Sequence, residues 1–138
     1  MSLVEVHVDL FGQVRVKRAT GVYDAGRMIN SKLARSQIMG GLIFAISTAL
    51  FEATIPDQAT GRVVNRNLAE YHVAVHADAP PEFDIDFIDK PDPHMPDLGA
   101  RCIGEIGVTG APAAVANAIF HATGKRIRDL PILPDKLI

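Results

Sequence analysis

The run Gly99-Ala-Arg-Cys-Ile-Gly-Glu-Ile-Gly-Val-Thr-Gly110 holds one acid, Glu105, among four glycines, with Arg101 as its only opposing charge. Glycine permits backbone conformations and close approaches that a Cβ forbids. Glycine-rich turns can also turn their amides toward a phosphate or another anion. A carboxylate flanked by Ile103, Ile106 and Val108, if partly desolvated, has the raised pKa of a general base. The plainer alternative is a glycine-rich helix start whose Glu sits near the positive end of the dipole. On spacing alone the plainer alternative is the stronger, because single glycine motifs are common.

Other residues with chemical potential are weaker. His72 and His76 are four apart, a metal-ligand spacing on a helix. They lie in Tyr71-His-Val-Ala-Val-His76, which reads as extended, so structural or surface histidines are expected and no metal is assigned. Cys102 is a reactive thiol if Arg101 lowers its pKa, but a lone cysteine is more often a small buried hydrophobe. Seven acids lie between Asp78 and Asp97 against Lys90. No EF-hand spacing appears among them, and Asp84 and Asp86 alternate with Phe83, Ile85 and Phe87 as a solvated strand face does.

The elements that must position these groups follow from periodicity. Val4, Val6, Val8 and Leu10 alternate with polar residues, as do Val14 and Val16, across Phe11-Gly12-Gln13; this predicts a hairpin with one buried face. Gly21 to Asn30 reads as a loop. A helix is expected from about Ser31 to Glu52. Met39, Leu42, Ile43, Ile46 and Leu50 form one apolar stripe, and Ile38, Ala45, Ala49 and Phe51 another. Such a helix should be buried on all sides, with Gly40-Gly41 admitting a neighbour's backbone. Residues 53–81 read as irregular, 83–87 as a strand and 91–96 as a loop. Pro112 suits the first turn of a second helix ended by Gly124, with Val115, Ala118, Ile119 and Ala122 inward. Lys125 to Leu130 reads as a last short strand. The fold class is α+β, in an α/β-like layout, with a small sheet and its N-terminal β-hairpin packed against two helices.

Residues 1–138 form one domain or a piece of one. Hydrophobic content of 48% and charged content of 22% are those of a globular chain. A formal charge of −2 gives no footprint for nucleic acid or an anionic membrane. No uninterrupted apolar run reaches the roughly 20 residues of a membrane span. One cysteine excludes an internal disulfide. The opening Met-Ser-Leu-Val-Glu is not a signal-peptide pattern and leads directly into a strand, as expected for a piece of a larger chain. The compartment, bacterial cytoplasm or periplasm, is left open.

Four segments carry a resemblance. "GARCIGEIGVTGAPAAVANAIFHATG" (Gly99 to Gly124), "DAGRMINSKLARSQIMGG" (Asp24 to Gly41), "GRVVNRNLAEYHV" (Gly61 to Val73) and "GKRIRDLPILPDKLI" (Gly124 to Ile138) occur in one order and cover nearly the whole chain. Together they resemble the C-terminal part of the molybdopterin-binding large subunit of the xanthine dehydrogenase and aldehyde oxidoreductase family. The Gly-Glu-Ile-Gly form followed by Thr-Gly is most similar to bacterial aldehyde oxidoreductases of the periplasmic type; xanthine-oxidising members usually carry prolines after the Glu. Two departures stand out: Asn30-Ser31 replaces a usual Asn-Pro, and Arg101-Cys102 replaces a usual Lys-Gly. Such subunits are several times longer than this chain, so a fragment of a larger molybdopterin-binding domain is implied.

The resemblance implies a molybdenum hydroxylase. Its pterin holds the metal through a dithiolene, usually in bacteria as molybdopterin cytosine dinucleotide. A base deprotonates Mo–OH, the oxygen attacks an aldehyde carbonyl or an electron-poor heterocycle carbon, and hydride passes to Mo=S. Electrons leave through iron–sulfur clusters and FAD on partner subunits. By motif, Glu105 matches the base. Arg101, Cys102, Ile103 and Gly104 would touch the cofactor, largely through backbone amides. Met28, Ile29, Asn30, Ser31 and Lys32 would meet its diphosphate at a helix start, and Gln37 would hydrogen-bond the pterin or diphosphate. The alternative is a truncated, cofactor-free chain with a structural or assembly role. In isolation the chain is expected to be inactive, to hold no cofactor and to self-associate through its apolar helix.

Overall fold

The computed structural model describes residues 1–88, 90, 92 and 94–138. Asp89, in the acidic run, and Pro91 and Pro93, in the expected 91–96 loop, lie outside the described residues. The elements are β1 (Ser2–Val8), β2 (Val14–Tyr23), α1 (Ser31–Leu50), β3 (Glu82–Phe87) and α2 (Ala111–Thr123), with single 3-10 turns at His76–Asp78 and Pro134–Lys136. The α+β layout with a small sheet and two helices is the one the sequence predicts.

β1 and β2 form the expected antiparallel hairpin. Val4, Val6 and Val8 turn toward the core while Leu3, Glu5 and His7 face out. Leu10, expected on the inner face, is almost fully exposed in the turn instead. The register slips between Glu5 and Val6, so that Glu5 pairs with Arg18 and Val6 with Val16. Lys17 is the extra residue, and this bulge reverses the phase of β2. Val16 points inward before it, and Ala19, Gly21 and Tyr23 after it.

β2 continues through residues 21–23, where the sequence predicts a loop, because β3 pairs with it in parallel from Arg18–Glu82 to Tyr23–Phe87. Gly21 is needed there: a Cβ would lie 2.3 Å from the Tyr23 ring. The sheet order is β1-β2-β3, and α1 lies in the crossover between the parallel strands. Arg35 of α1 donates to the carbonyls of Phe83 and Ile85 at 2.8 and 3.0 Å.

α1 spans the predicted helix within two residues of its far end. It is not buried all round. Ala34, Ile38, Leu42, Ala45, Ile46 and Ala49 make one buried face drawn from both expected stripes, whereas Leu33 and Phe44 are exposed. By length and mean hydropathy (1.3) α1 would pass for a membrane span. Half of it is packed inside this fold, as a core helix is. Ile38, Leu42 and Ala45 pack with Ala19, Tyr23 and Ile85. Ile46, Ala49 and Leu50 meet Val16 and the α2 residues Val115 and Ile119.

α2 begins after Gly110, carries Pro112 in its first turn and ends at Gly124, which takes the left-handed conformation (φ +75°). Its buried residues are Ala111, Val115 and Ile119; Ala118 is half-buried and Ala122 exposed. The expected strand at 125–130 does not form. Arg126, Arg128 and Asp129 are exposed, and Ile127 alone of this stretch packs on the core, too little apolar surface to hold a fourth strand. The tail is instead pinned by Ile132 N to Ala49 O (2.7 Å) and by Lys125 Nζ to Leu137 O (2.9 Å).

Candidate functional site

Two loops are stitched together beside the start of α1. Arg27 N donates to Gly99 O (2.8 Å) and Arg101 N to Ala25 O (2.9 Å). Gly26 (φ +62°) and Gly99 (φ +66°) make this pairing possible; a Cβ on Gly26 would lie 2.3 Å from Gly99 O. The Arg101 guanidinium donates to Asp24 (2.7 Å) and to Asp92, so its charge is met within the chain. The amide of His94, then the Arg101 guanidinium, hold the Asp92 carboxyl below the ordinary aspartate range. Asp24 also accepts from Gly26 N (3.1 Å), which fixes the turn at the head of the first loop.

Asn30 then starts α1. Its Oδ1 accepts from Leu33 N and its carbonyl from Ala34 N, both at 3.0 Å. This is ordinary N-capping, which Asn supplies as it stands. Ser31 in place of the family's usual proline is an exposed first helical residue.

Between the two loops and the first turns of α1 lies an open, largely apolar cleft of about 490 Å³. Of the residues expected to bind a cofactor, Met28, Ile29, Asn30, Gln37, Arg101, Ile103 and Gly104 line it. Ser31, Lys32 and Cys102 do not, and all three are exposed. Cys102 is therefore not the small buried hydrophobe that a lone cysteine more often is. Sequence reasoning missed Ala25, Arg27, Leu33, Ala34 and Ala100. The signal for two of them was present: Asn30, Leu33, Ala34 and Gln37 share the helical i, i+3, i+4, i+7 spacing.

Glu105 is one residue beyond Gly104 and exposed. Ile106 and Val108 do not enclose it; they pack against the core cluster that includes Ala19, Ile38 and Leu42. The apolar pocket expected around the carboxylate is not built by this chain alone. Gln37 Nε2 donates to Gly104 O at 2.7 Å, bringing α1 to the Glu105 segment. His72 and His76 are both exposed, and among the described residues no three His, Cys, Asp or Glu side chains converge as a metal site. Asp84 and Asp86 are exposed on β3, the solvated face that was expected.

Residues 1–80 match the model of the molybdopterin cofactor-binding domain. The aldehyde oxidoreductase molybdenum-binding subunit PaoC of Escherichia coli is 44% identical over 127 residues, covering 92% of this chain and 17% of the relative. The xanthine dehydrogenase molybdenum-binding subunit of another strain of that species is 34% identical over 137 residues, covering 99% of this chain and 18% of the relative. The aldehyde oxidoreductase of Desulfovibrio gigas superposes with a TM-score of 0.85 at 34% identity, over 97% of this chain and 14% of that one. The chain belongs to the molybdopterin cofactor-binding domain family. It spans about one-sixth of the length of the curated relatives it matches.

Proposed function

We propose that this chain supplies one wall of the molybdopterin site in an aldehyde- or N-heterocycle-oxidising molybdenum hydroxylase. The observation that carries this is the cleft. Seven of the ten residues expected by motif to bind the cofactor line it, although they come from segments some seventy positions apart (Met28 to Gln37 and Arg101 to Gly104). The donor set suits such a group. Among the described residues, the amides of 28–32 and of 102–105 make no hydrogen bond within the chain. Amides at a helix start suit a diphosphate, the form carried by the cytosine dinucleotide. Leu33, Ile29 and Ile103 give an apolar floor beside them.

When bound, the cofactor supplies the oxygen-transfer and two-electron chemistry of the reaction. The chain's own residues bind and orient it: the 28–32 and 102–104 backbone through amides, Gln37 through its remaining amide donor and acceptor. Glu105 accepts a proton at its carboxylate from the reacting centre. Iron–sulfur and FAD subunits would be the onward electron acceptors, and the remainder of the large subunit would close the cleft and the Glu105 pocket. The exposure of Glu105 favours the companion reading that the chain alone is inactive.

The test places a charge on the cleft wall of the full-length subunit. Leu33 is 67% exposed, so Leu33→Glu leaves the fold intact while setting a carboxylate against an anionic cofactor. Molybdenum per subunit should fall well below wild type, whereas Leu10→Glu, in the exposed hairpin turn, should retain it. Full molybdenum occupancy in Leu33→Glu would overturn the assignment of the cleft.

A further inference from the structure

We infer that α1 positions the Glu105 carboxylate by gripping its segment at two points one helical turn apart. Gln37 holds Gly104, and Gly41 receives Gly107. This inference rests on the reading of Glu105 as the base.

Gln37 and Gly41 are four residues apart on α1, so they lie on one face about 6 Å apart along the axis. The two glycines that flank Glu105 land on these two positions. At the first, Gln37 Nε2 donates to the carbonyl of Gly104 at 2.7 Å. At the second, the contact is backbone on backbone. A Cβ on Gly107 would lie 2.8 Å from Ile38 O, and one on Gly41 would lie 3.0 Å from Gly107 Cα. Both glycines are buried, and neither position admits a larger residue without moving the main chain.

The residues between and after the two grips complete the device. Ile106 and Val108 pack on the core beneath. A turn closed by Val108 N on Glu105 O (3.0 Å) rigidifies the segment. Glu105 is left facing solvent, and among the described residues its carboxylate takes no hydrogen bond and no ion pair. Within this chain its position is therefore set by its backbone. A proton acceptor must sit within hydrogen-bond reach of the group it serves, and a displacement of about 1 Å can cost about 10²-fold in rate. Gln37 also lines the cleft, so one side chain joins the cofactor wall to the segment that carries the base.

The experiment uses the full-length subunit assembled with its partners and loaded with cofactor. Gly107→Ala disturbs the backbone contact without touching the cleft or Glu105. Gly40→Ala is the control, since a Cβ there meets nothing within 4 Å. Three quantities are measured: molybdenum content, kcat and KM for an aldehyde, and hydrogen exchange of the 101–108 peptide. For Gly107→Ala the expected result is normal molybdenum and KM, kcat lowered by about 10- to 100-fold, and faster exchange in 101–108. A loaded Gly107→Ala enzyme with the kcat of Gly40→Ala, or with unchanged exchange, overturns the inference. If Gly107→Ala does not assemble, Gln37→Met takes its place, because Gln37 is exposed. Compared at equal molybdenum content, faster exchange in 101–108 then supports the grip, and unchanged exchange overturns it. Glu105→Gln is run alongside. If it keeps its rate, the base reading falls while the exchange data still judge the grip. If it loses its rate while Gly107→Ala keeps it, the base reading stands and the grip falls.

Discussion

Leu42 belongs to the core cluster on which the Glu105 segment packs, and its truncation has a calculable cost. Its side chain is 1% exposed and packs in the cluster that holds Ala19, Ile38 and Ile85, with Ile106 and Val108 against it. Leu42→Ala removes three carbons, worth about 2.4 kcal/mol at about 0.8 kcal/mol per buried methylene. A cavity term adds to this where the surroundings cannot collapse. Collapse is restricted here, because the sheet stands on one side and the close Gly41–Gly107 contact already fixes the approach of the next segment. The expected loss is about 3.5 kcal/mol, within the range for buried Leu→Ala changes. For a chain of this size that lowers the thermal midpoint by about 10 °C. Leu33→Ala, at an exposed position on the same helix, should shift stability by less than about 0.5 kcal/mol. The assay is thermal unfolding followed by far-ultraviolet circular dichroism. A Leu42→Ala midpoint no lower than that of Leu33→Ala would refute the placement of α1 against the sheet and the Glu105 segment.

Further expectations follow from the loops and helix ends. The Asp92 carboxyl is held below its ordinary value of 3.8 by the His94 amide and Arg101. Its contribution to stability is therefore fully present above that value and is lost as pH falls through the lower folded one. Wild type should lose stability more steeply than Asp92→Asn across this acid window, as read by unfolding midpoints at a series of pH values. Gly110 has φ +81° with open space around it, so Gly110→Ala should cost about 1–2 kcal/mol from the backbone alone. Gly40→Ala, in the helix interior with equally open space, should gain about 0.5–1 kcal/mol by calorimetry. The isolated chain should bind no molybdenum cofactor, because the cleft has one wall here, and metal analysis of protein produced alongside cofactor synthesis checks this. It should also self-associate through Ile29, Leu33 and Phe44, which are exposed beside the cleft and on α1, giving a concentration-dependent mass in sedimentation.

Local patterning made the elements legible, and long-range pairing decided what was not. The hairpin, α1 and α2 follow from alternation, helical spacing and the Pro112 and Gly124 boundaries. The bulge at Lys17 was invisible because Lys17 and Arg18 are both polar and nothing in their order marks a phase change. Gly21 read as loop because glycine usually breaks a strand; here it makes room for the Tyr23 ring. The burial of α1 was overestimated because composition cannot show which side the sheet covers. At the site, motif resemblance identified most of the cleft lining, while Ser31, Lys32 and Cys102 sit outside it. Gly41 was legible as a place for close approach, but its partner Gly107 was not. The bond from Gln37 to Gly104 spans 67 positions and leaves no trace in either local pattern. The exposure of Glu105 was likewise unreadable, since its apolar neighbours support the backbone rather than enclose the carboxylate.

Glu105→Gln in the complete enzyme tests the central claim most directly. Gln is nearly isosteric, and Gly104, Gly107 and the grip of α1 are untouched, so the segment and the cofactor content should be preserved. Gln does not accept a proton at neutral pH. Aldehyde oxidation with an artificial electron acceptor, normalised to bound molybdenum, should fall by at least the about 10²–10⁴-fold contributed by a positioned general base. Glu52→Gln, at the far end of α1 where Glu52 accepts from the Tyr71 hydroxyl (2.9 Å), should leave the normalised rate near wild type. A Glu105→Gln enzyme that kept more than about a tenth of that rate, far above the residue of a lost base, would contradict the assignment of Glu105 as the proton acceptor.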